Sequence, residues 1–182
     1  MSAELQTRGR LLVALARAAI ASELGSPRLD LPRPVWLDEP AAVFVTLTRH
    51  GQLRGCIGSL EAHRSLYDDV THNARAAAFD DPRFPPLVAD ELAATHIEIS
   101  VLTAPQPLPF SEAEAILHLR PGIDGVILRS AGRCAVFLPQ VWEQLPEPHE
   151  FIAHLKRKAG LPAALRAEDT QLSVFQVEKF QA

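Results

Sequence analysis

The sequence predicts an α+β fold in which helices flank a largely antiparallel sheet. Segments with the two-residue alternation of strands occur in pairs joined by short turns, and helical segments are gathered between these pairs. The chain has 182 residues, of which 47% are hydrophobic, so it can bury a substantial core. We therefore expect a single domain over residues 1–182, with or without a smaller lobe.

The first elements follow from periodicity and proline content. Apolar residues recur at helical spacing from Leu5 to Leu24, which predicts an amphipathic helix. A proline-rich crossing over residues 26–40 separates this helix from a strand over 43–48. That strand places Val43, Val45 and Leu47 on one face and runs into a hairpin.

The hairpin contains the most informative stretch, Leu-Arg-Gly-Cys-Ile-Gly over residues 53–58. Glycine inside a strand marks a bulge or a close approach to the backbone, so Gly55 and Gly58 make this stretch a candidate site wall. We expect a three-residue loop over 49–51 with Gly51 in the left-handed conformation, because a strict two-residue turn would put Arg54 beside Leu47.

This register predicts which side chains share a face. Thr46 would lie opposite Arg54, and Phe44 would lie opposite Cys56. Leu53 and Ile57 would enter the core, while Arg54 and Cys56 would project together from the other face into a concave surface.

The next elements are a helix and a second polar strand. Residues 65–79 predict a helix with Ser65 as its cap, and residues 80–86 end it. The segment 95–103 alternates, with Ile97, Ile99 and Val101 on one face and His96, Glu98 and Ser100 on the other. Both strands need the same core, so we expect this strand beside the hairpin, with Glu98 near Arg54.

Shorter elements fill the rest of the chain. We predict a helix over 112–118 capped by Ser111, and a strand pair over 126–130 and 134–138. Two short helices over 140–145 and 149–158 follow, and a last strand spans 172–180.

Charge and cysteine content exclude several classes of protein. The net charge of −4 and the pI of about 6.0 give no general basic field, so we expect no nucleic acid and no membrane as a partner. Cys56 and Cys134 stand too far apart for a disulfide framework or a paired-cysteine zinc site, which indicates a reducing, cytoplasmic environment. Arg17 interrupts the apolar run 11–16, so we predict neither a signal peptide nor a membrane span.

The order of these motifs resembles the AMMECR domain family over about the whole chain. The similarity is carried by residues 53–58 after a Val-x-Leu-Thr strand, by 78–86, by 97–102, and by the later stretches 122–126, 138–141 and 158–161. One departure is that such proteins often carry tryptophan shortly after the last stretch, where this chain has Leu165 and Arg166. This departure affects packing near the C-terminus more than the cleft.

The resemblance implies a two-lobed α+β fold with a cleft beside residues 53–58. In bacteria and archaea it also implies protein A of the AmmeMemoRadiSam system. The partners there would be a radical SAM enzyme and a Memo-like protein, which is related in fold to non-haem iron dioxygenases. The resemblance brings no established activity with it.

Each candidate residue has a chemical and a structural interpretation. Cys56 could be a nucleophile whose thiolate Arg54 favours, or a small buried hydrophobic residue. Arg54 could hold an anionic group, or could pair with Glu98 or Glu61. Glu98 could be a general acid or base, with His96 and Ser100 binding substrate beside it, or all three could form a solvated face.

Other charged positions have simpler explanations. His72 lies four residues after Asp68 on one helix face, but two ligands do not make a metal site, and Asp68 suits the helix N-terminus. Residues 156–158 complement a helix C-terminus in the same way. We therefore predict no metal and no cofactor.

Two functions from different classes remain. The first is an enzyme or enzyme component that acts on a small anionic substrate or intermediate in a cleft lined by Arg54, Cys56 and Glu98, with the Memo-like and radical SAM partners. The alternative is a non-catalytic binding or adaptor module that recognises a partner peptide or modified side chain. If Cys56 is a nucleophile, it should be alkylated faster than Cys134, which we expect to be buried, and Arg54→Ala should slow that reaction.

Overall fold

The structure is a computed structural model that describes residues 3–108, 112–162 and 170–181. The chain divides into two compact units, the first holding residues 1–102 and 178–182 and the second holding residues 103–177. In the described part of the chain, no helix combines the length and the apolar character needed to cross a bilayer.

Unit 1 is a sheet with helices packed against one face. Its elements are α1 (Ala3–Glu23), a 3-10 helix (Val35–Asp38), β1 (Pro40–Arg49), β2 (Gln52–Gly58), β3 (Arg64–Ser65), α2 (Leu66–Phe79), α3 (Ala89–Leu92), β4 (Thr95–Leu102) and β9 (Val177–Gln181). The strands are ordered β2-β1-β4-β9, and β3 pairs with one end of β1. The pairings of β1 with β2, β3 and β4 are all antiparallel.

The core of unit 1 forms where α1 and α2 cover the sheet. Val43, Val45 and Leu47 of β1 are fully buried, as their alternation predicted. The apolar face of β4, with Ile97 and Ile99, joins the same cluster. Because β4 pairs directly with β1, the prediction that the polar strand lies beside the hairpin is confirmed.

Unit 2 is a smaller antiparallel sheet of order β5-β8-β6-β7. Trp142 and Phe151 stack at its core with ring centroids 3.7 Å apart, and the Trp142 indole donates a hydrogen bond to the carbonyl of Asp124. Its elements are β5 (Gln106–Pro107), α4 (Glu112–His118), β6 (Gly125–Ser130), β7 (Arg133–Phe137), a 3-10 helix (Pro139–Glu143), α5 (Pro148–Lys158) and β8 (Thr170–Phe175). The α+β class with largely antiparallel sheets is therefore confirmed.

Two predictions in the second half of the chain need comment. The single strand predicted over 172–180 is wrong, because β8 ends at Phe175 and β9 begins at Val177, and the two strands join different sheets. The break at Gln176 is stabilised by two hydrogen bonds with Thr103. The Thr103 N–H donates to the Gln176 carbonyl, and the Gln176 N–H donates to the Thr103 hydroxyl. The predicted cap Ser111 lies outside the described residues.

The register predicted for the first hairpin is also wrong. The turn has only two residues, His50 and Gly51, both with positive φ, so Arg49 pairs with Gln52. A bulge then inserts Arg54 as an extra residue, after which Leu47 pairs with Gly55 and Thr46 pairs with Cys56. A two-residue turn without a bulge would put Arg54 beside Leu47, and the bulge resolves that conflict.

The corrected register changes which residues are buried. Leu53 pairs with Thr48 on the polar face and is 43% exposed, so its predicted place in the core is wrong. Ile57 pairs with Val45 and packs against the core, as predicted. Gly55 lies directly against α2, where an added Cβ would come 2.0 Å from the carbonyl oxygen of Ala77.

We predict that Gly55→Ala lowers the free energy of unfolding by about 3 kcal/mol or more, because backbone must move to admit the methyl group. Gly132→Ala is the matched control, since that glycine has open space around it and only a left-handed φ to strain. The control should cost about 1 kcal/mol in urea denaturation. Equal losses for the two variants would contradict the close contact between β2 and α2.

Candidate functional site

Cys56 lies on β2, the outer strand of the unit 1 sheet, with its thiol half-buried. Its Sγ lies 3.4 Å from the hydroxyl of Thr46, its cross-strand partner. The backbone N–H of Cys56 donates to Asp81 Oδ2 at 2.9 Å, and Arg83 Nη2 donates to the Cys56 carbonyl at 3.2 Å. The thiol is thus held at a fixed position on the sheet edge.

The two residues that hold Cys56 come from the segment that ends α2. Arg83 donates two guanidinium hydrogen bonds to the Asp81 carboxylate, which is almost fully buried. These bonds, and the N–H of Cys56, hold the pKa of Asp81 well below its usual range. The sequence predicts the end of the helix here, and residues 78–86 carry part of the family resemblance, but neither Asp81 nor Arg83 was predicted as a site residue. An acid two positions before an arginine is the signal that indicates a local ion pair.

Arg54 forms an ion pair with a different carboxylate, that of Glu91. Its Nη2 lies 2.8 Å from Glu91 Oε2 and its Nε lies 3.2 Å from Oε1, which is a two-pronged ion pair. Arg49 adds a bond of 2.7 Å to Oε1, and the N–H of Val88 donates to Oε2. The hydrogen bonds from Arg54 and Val88 are the main causes that lower the pKa of Glu91 to about 2.

Arg54 and Cys56 therefore do not share a face, and that prediction is wrong. Residues in a bulge stay on one side of the sheet, so Arg54 goes with Gly55 toward the helix-covered face, where Arg49 reaches the same carboxylate. Cys56 points to the other face with Thr46. The expected pairings of Arg54 with Glu98 or Glu61 are wrong for the same reason, because the inserted residue turns the guanidinium toward Glu91.

The polar face instead brings together side chains in cross-strand rows. Glu98 of β4 lies opposite Thr46 of β1, which lies opposite Cys56 of β2. On one side of this row, His96 pairs with Thr48 and Thr48 with Leu53; on the other, Ser100 pairs with Phe44 and Phe44 with Gly58. The structure thus places the predicted residues Cys56, Glu98, His96 and Ser100 on one face and removes Arg54 and Gly55 from it.

A groove of about 540 Å³ lies on this face. We call it the polar groove; its lining residues are Thr46, Thr48, His96, Ile97, Glu98 and Gln181. The side chain of Glu98 is 30% exposed, and Lys179 of β9 lies beside it with Nζ 3.4 Å from Oε1. Neither Lys179 nor Gln181 was predicted as a site residue. The strand expected over 172–180 does not reveal that Lys179 joins the unit 1 sheet, and it ends before Gln181.

The two glycines of the motif are approached by the protein itself. An added Cβ on Gly58 would come within 2.3 Å of the Phe44 ring, which lies over it next to Cys56. Gly55 meets α2 in the same way. The close approach that the glycines predicted is therefore real, and it is explained without a ligand.

A buried polar cluster lies behind the other end of β1. Asp69 accepts hydrogen bonds from the N–H of Val43, the hydroxyl of Ser59 and the guanidinium of Arg64. Asn73, one turn later on α2, donates to the Val43 carbonyl and to Ser59. These hydrogen bonds are all made within the fold, so they account for the burial of Asp69 and Asn73 without a ligand.

The structure gives no support to a metal site at Asp68 and His72. The Asp68 carboxylate accepts a hydrogen bond from the Ser65 hydroxyl at the start of α2. The same hydroxyl accepts one from the Asp68 N–H, so Ser65 caps that helix as predicted. Within the described ranges, no group of three or more His, Cys, Asp or Glu side chains is arranged to hold a metal ion.

The second cysteine is exposed, so its predicted burial is wrong. Cys134 lies on β7, the outer strand of the unit 2 sheet, one residue from the end of the strand. Its cross-strand partner is Arg129, whereas the next two residues of β7, Ala135 and Val136, are buried. Burial therefore begins only one residue further along the strand.

We predict that Glu91 makes the stability of the protein depend on acid pH. Its pKa falls from 4.5 in the unfolded chain to about 2 in the fold, so its contribution is fully present above pH 4.5 and is lost as the pH falls toward 2. Glu91→Gln should lower the free energy of unfolding at pH 7 by about 2–3 kcal/mol and flatten its change between pH 4.5 and 2. Glu150→Gln, at an exposed position on α5, is the control.

The contradicting outcome is a Glu91→Gln profile that runs parallel to that of the wild-type protein in urea denaturation at each pH. Such a result would mean that the lowered pKa of Glu91 is not a source of the acid dependence of stability.

Comparisons with known proteins place this chain in a family. The AMMECR1 family model matches residues 13–180. A protein of Methanothermobacter thermautotrophicus is 40% identical over 178 residues, covering 94% of this chain and 93% of that protein. One of Methanosarcina acetivorans is 33% identical over 183 residues, covering 97% and 92%. The crystal structure of an uncharacterized protein from Pyrococcus horikoshii has a TM-score of 0.82 and 35% identity, covering 95% of this chain and 90% of that one. The chain therefore belongs to the AMMECR1 family.

Proposed function

We propose that this protein is a binding component that holds a small polar ligand, or a modified side chain of a partner, in the polar groove of unit 1. It would work with a Memo-like protein and a radical SAM enzyme, the partners that the family resemblance implies. The observation that carries the proposal is the groove itself, which is lined by hydroxyl, imidazole, carboxylate and amide side chains on the sheet face that α1 and α2 leave free.

The surroundings of Cys56 favour binding over nucleophilic catalysis. The guanidinium of Arg54, which would have favoured the thiolate, lies on the other face with its charge offset by Glu91. Arg83 is closer to Cys56, but Asp81 offsets its charge at 2.7 Å. The hydrogen-bond partner of the thiol is the neutral hydroxyl of Thr46, which is not a base.

An enzyme remains the second candidate, because Cys56, Thr46 and Glu98 occupy one cross-strand row. Two strand spacings of about 4.8 Å separate Cys56 from Glu98, so a substrate bound over Thr46 could contact both side chains. Glu98 would then serve as the general acid or base and Cys56 as the nucleophile, with His96 and Ser100 beside them.

Alkylation distinguishes the two candidates within one molecule. Cys134 is exposed and Cys56 is half-buried, so unactivated thiols should react in the order of their exposure. We predict that iodoacetamide at pH 7.5 modifies Cys134 at least several-fold faster than Cys56, measured by mass spectrometry of the two peptides. Faster reaction at Cys56 would require an activated thiol and would favour the enzyme, and Thr46→Val would then test whether the Thr46 hydroxyl contributes to it.

Complementation tests the groove in the cell. In a strain that lacks this gene, we predict that Glu98→Gln fails to restore the wild-type metabolite profile, because the groove loses its carboxylate, whereas Cys56→Ser restores it. The matched controls are Glu150→Gln and Cys134→Ser, both at exposed positions of unit 2, and both should restore the profile. Full restoration by Glu98→Gln would overturn the proposal, and failure of Cys56→Ser alone would favour catalysis.

A further inference from the structure

We propose that the ligand of the polar groove carries a cationic group, a primary amine or a guanidinium, that binds the carboxylate of Glu98. The inference rests on the proposed function, since it names the chemical class of the ligand for the same groove. It differs from the anionic ligand that the sequence favoured.

The first step is the charge balance on each face of the sheet. The anionic ligand was expected because of Arg54, but that guanidinium pairs with Glu91 on the helix-covered face, and Arg49 pairs with the same carboxylate. Glu98 supplies the one carboxylate among the lining residues of the polar groove, and none of those residues is a lysine or an arginine. The groove is therefore suited to a cation rather than to an anion.

The second step is the state of the Glu98 carboxylate. No described side chain forms a hydrogen bond with it. The contact with Lys179 is 3.4 Å long, whereas a charge-assisted hydrogen bond of this kind spans about 2.7–2.9 Å. The Glu98 side chain is 30% exposed, so its carboxylate can be reached from the groove. A donor from a ligand would complete the bonding that the fold leaves unfilled.

The third step concerns Lys179, which carries the same type of group as the proposed ligand. Its side chain is 47% exposed on β9, the outer strand, so it can turn away into solvent at little cost. In the free protein Lys179 offsets the charge of Glu98 from the side, outside the groove lining. A cationic ligand would enter from the groove and take over this ion pair.

The neutral lining then supplies the rest of the recognition. Thr46 and Thr48 offer hydroxyl groups, and Gln181 offers an amide, all able to accept hydrogen bonds from an ammonium or guanidinium group. His96 lies beside Thr48 as its cross-strand partner. The arrangement fits a side chain or a small molecule that ends in such a group.

The test uses three N-acetylated amino acid methylamides as probes: lysine for the cation, norleucine for its neutral isostere and glutamate for an anion. Binding to the full chain is followed by the backbone NMR shifts of Thr46, Thr48 and His96. We expect the lysine probe to bind more tightly than the norleucine probe, Glu98→Gln to weaken it at least fivefold, and Lys179→Met to strengthen it at least twofold by removing the competitor. Glu150→Gln and Arg157→Met, at exposed positions of α5, control for net charge and should change nothing.

The possible failures are distinguishable. If the norleucine or glutamate probe shifts the groove resonances and the lysine probe does not, the cationic ligand is overturned while the polar groove remains the binding site. If none of the three probes shifts these resonances, both the inference and the proposed function are overturned. An affinity for the lysine probe that Glu98→Gln leaves unchanged would also overturn the inference.

Discussion

The bulge at Arg54 determines which side chains of β2 lie on each face of the unit 1 sheet. Side chains alternate along a strand, so without the extra residue Cys56 would pair with Val45 and point at the core. The two-pronged ion pair with Glu91 gives the inserted residue a defined place and satisfies its charge. The position of the thiol beside Thr46 thus depends on an interaction that takes place on the opposite face of the sheet.

The outer edge of β2 is completed by Asp81 and Arg83 instead of another strand. The Asp81 carboxylate accepts a hydrogen bond from the N–H of Cys56, and the Arg83 guanidinium donates one to the Cys56 carbonyl. A neighbouring strand would make the same two bonds. An unpaired edge is open to pairing with other chains, and these two charged side chains block it. They also hold the backbone of Cys56 at both its N–H and its carbonyl.

Periodicity was sufficient to predict the core faces of β1 and β4, because their apolar residues alternate without interruption and point toward the helices. The same pattern could not predict the bulge, whose stabilising partner Glu91 lies 37 residues further along the chain. The glycines correctly indicated close approach, but the neighbour in each case is Ala77 or Phe44, which only tertiary structure identifies. The exposure of Cys134 likewise depends on an edge position in the sheet that alternation does not reveal.

The chemistry of the site illustrates a further limit of motif-based inference. An arginine two positions before a cysteine indicates an anion-binding, activated thiol when the motif is considered alone. In the fold, the arginines nearest this motif, Arg49, Arg54 and Arg83, are paired with Glu91 and Asp81. Once those pairs are formed, the polar face is left with the carboxylate of Glu98 and one loosely held lysine. The carboxylate among the residues that line the polar groove is therefore opposite in sign to the arginine of the motif.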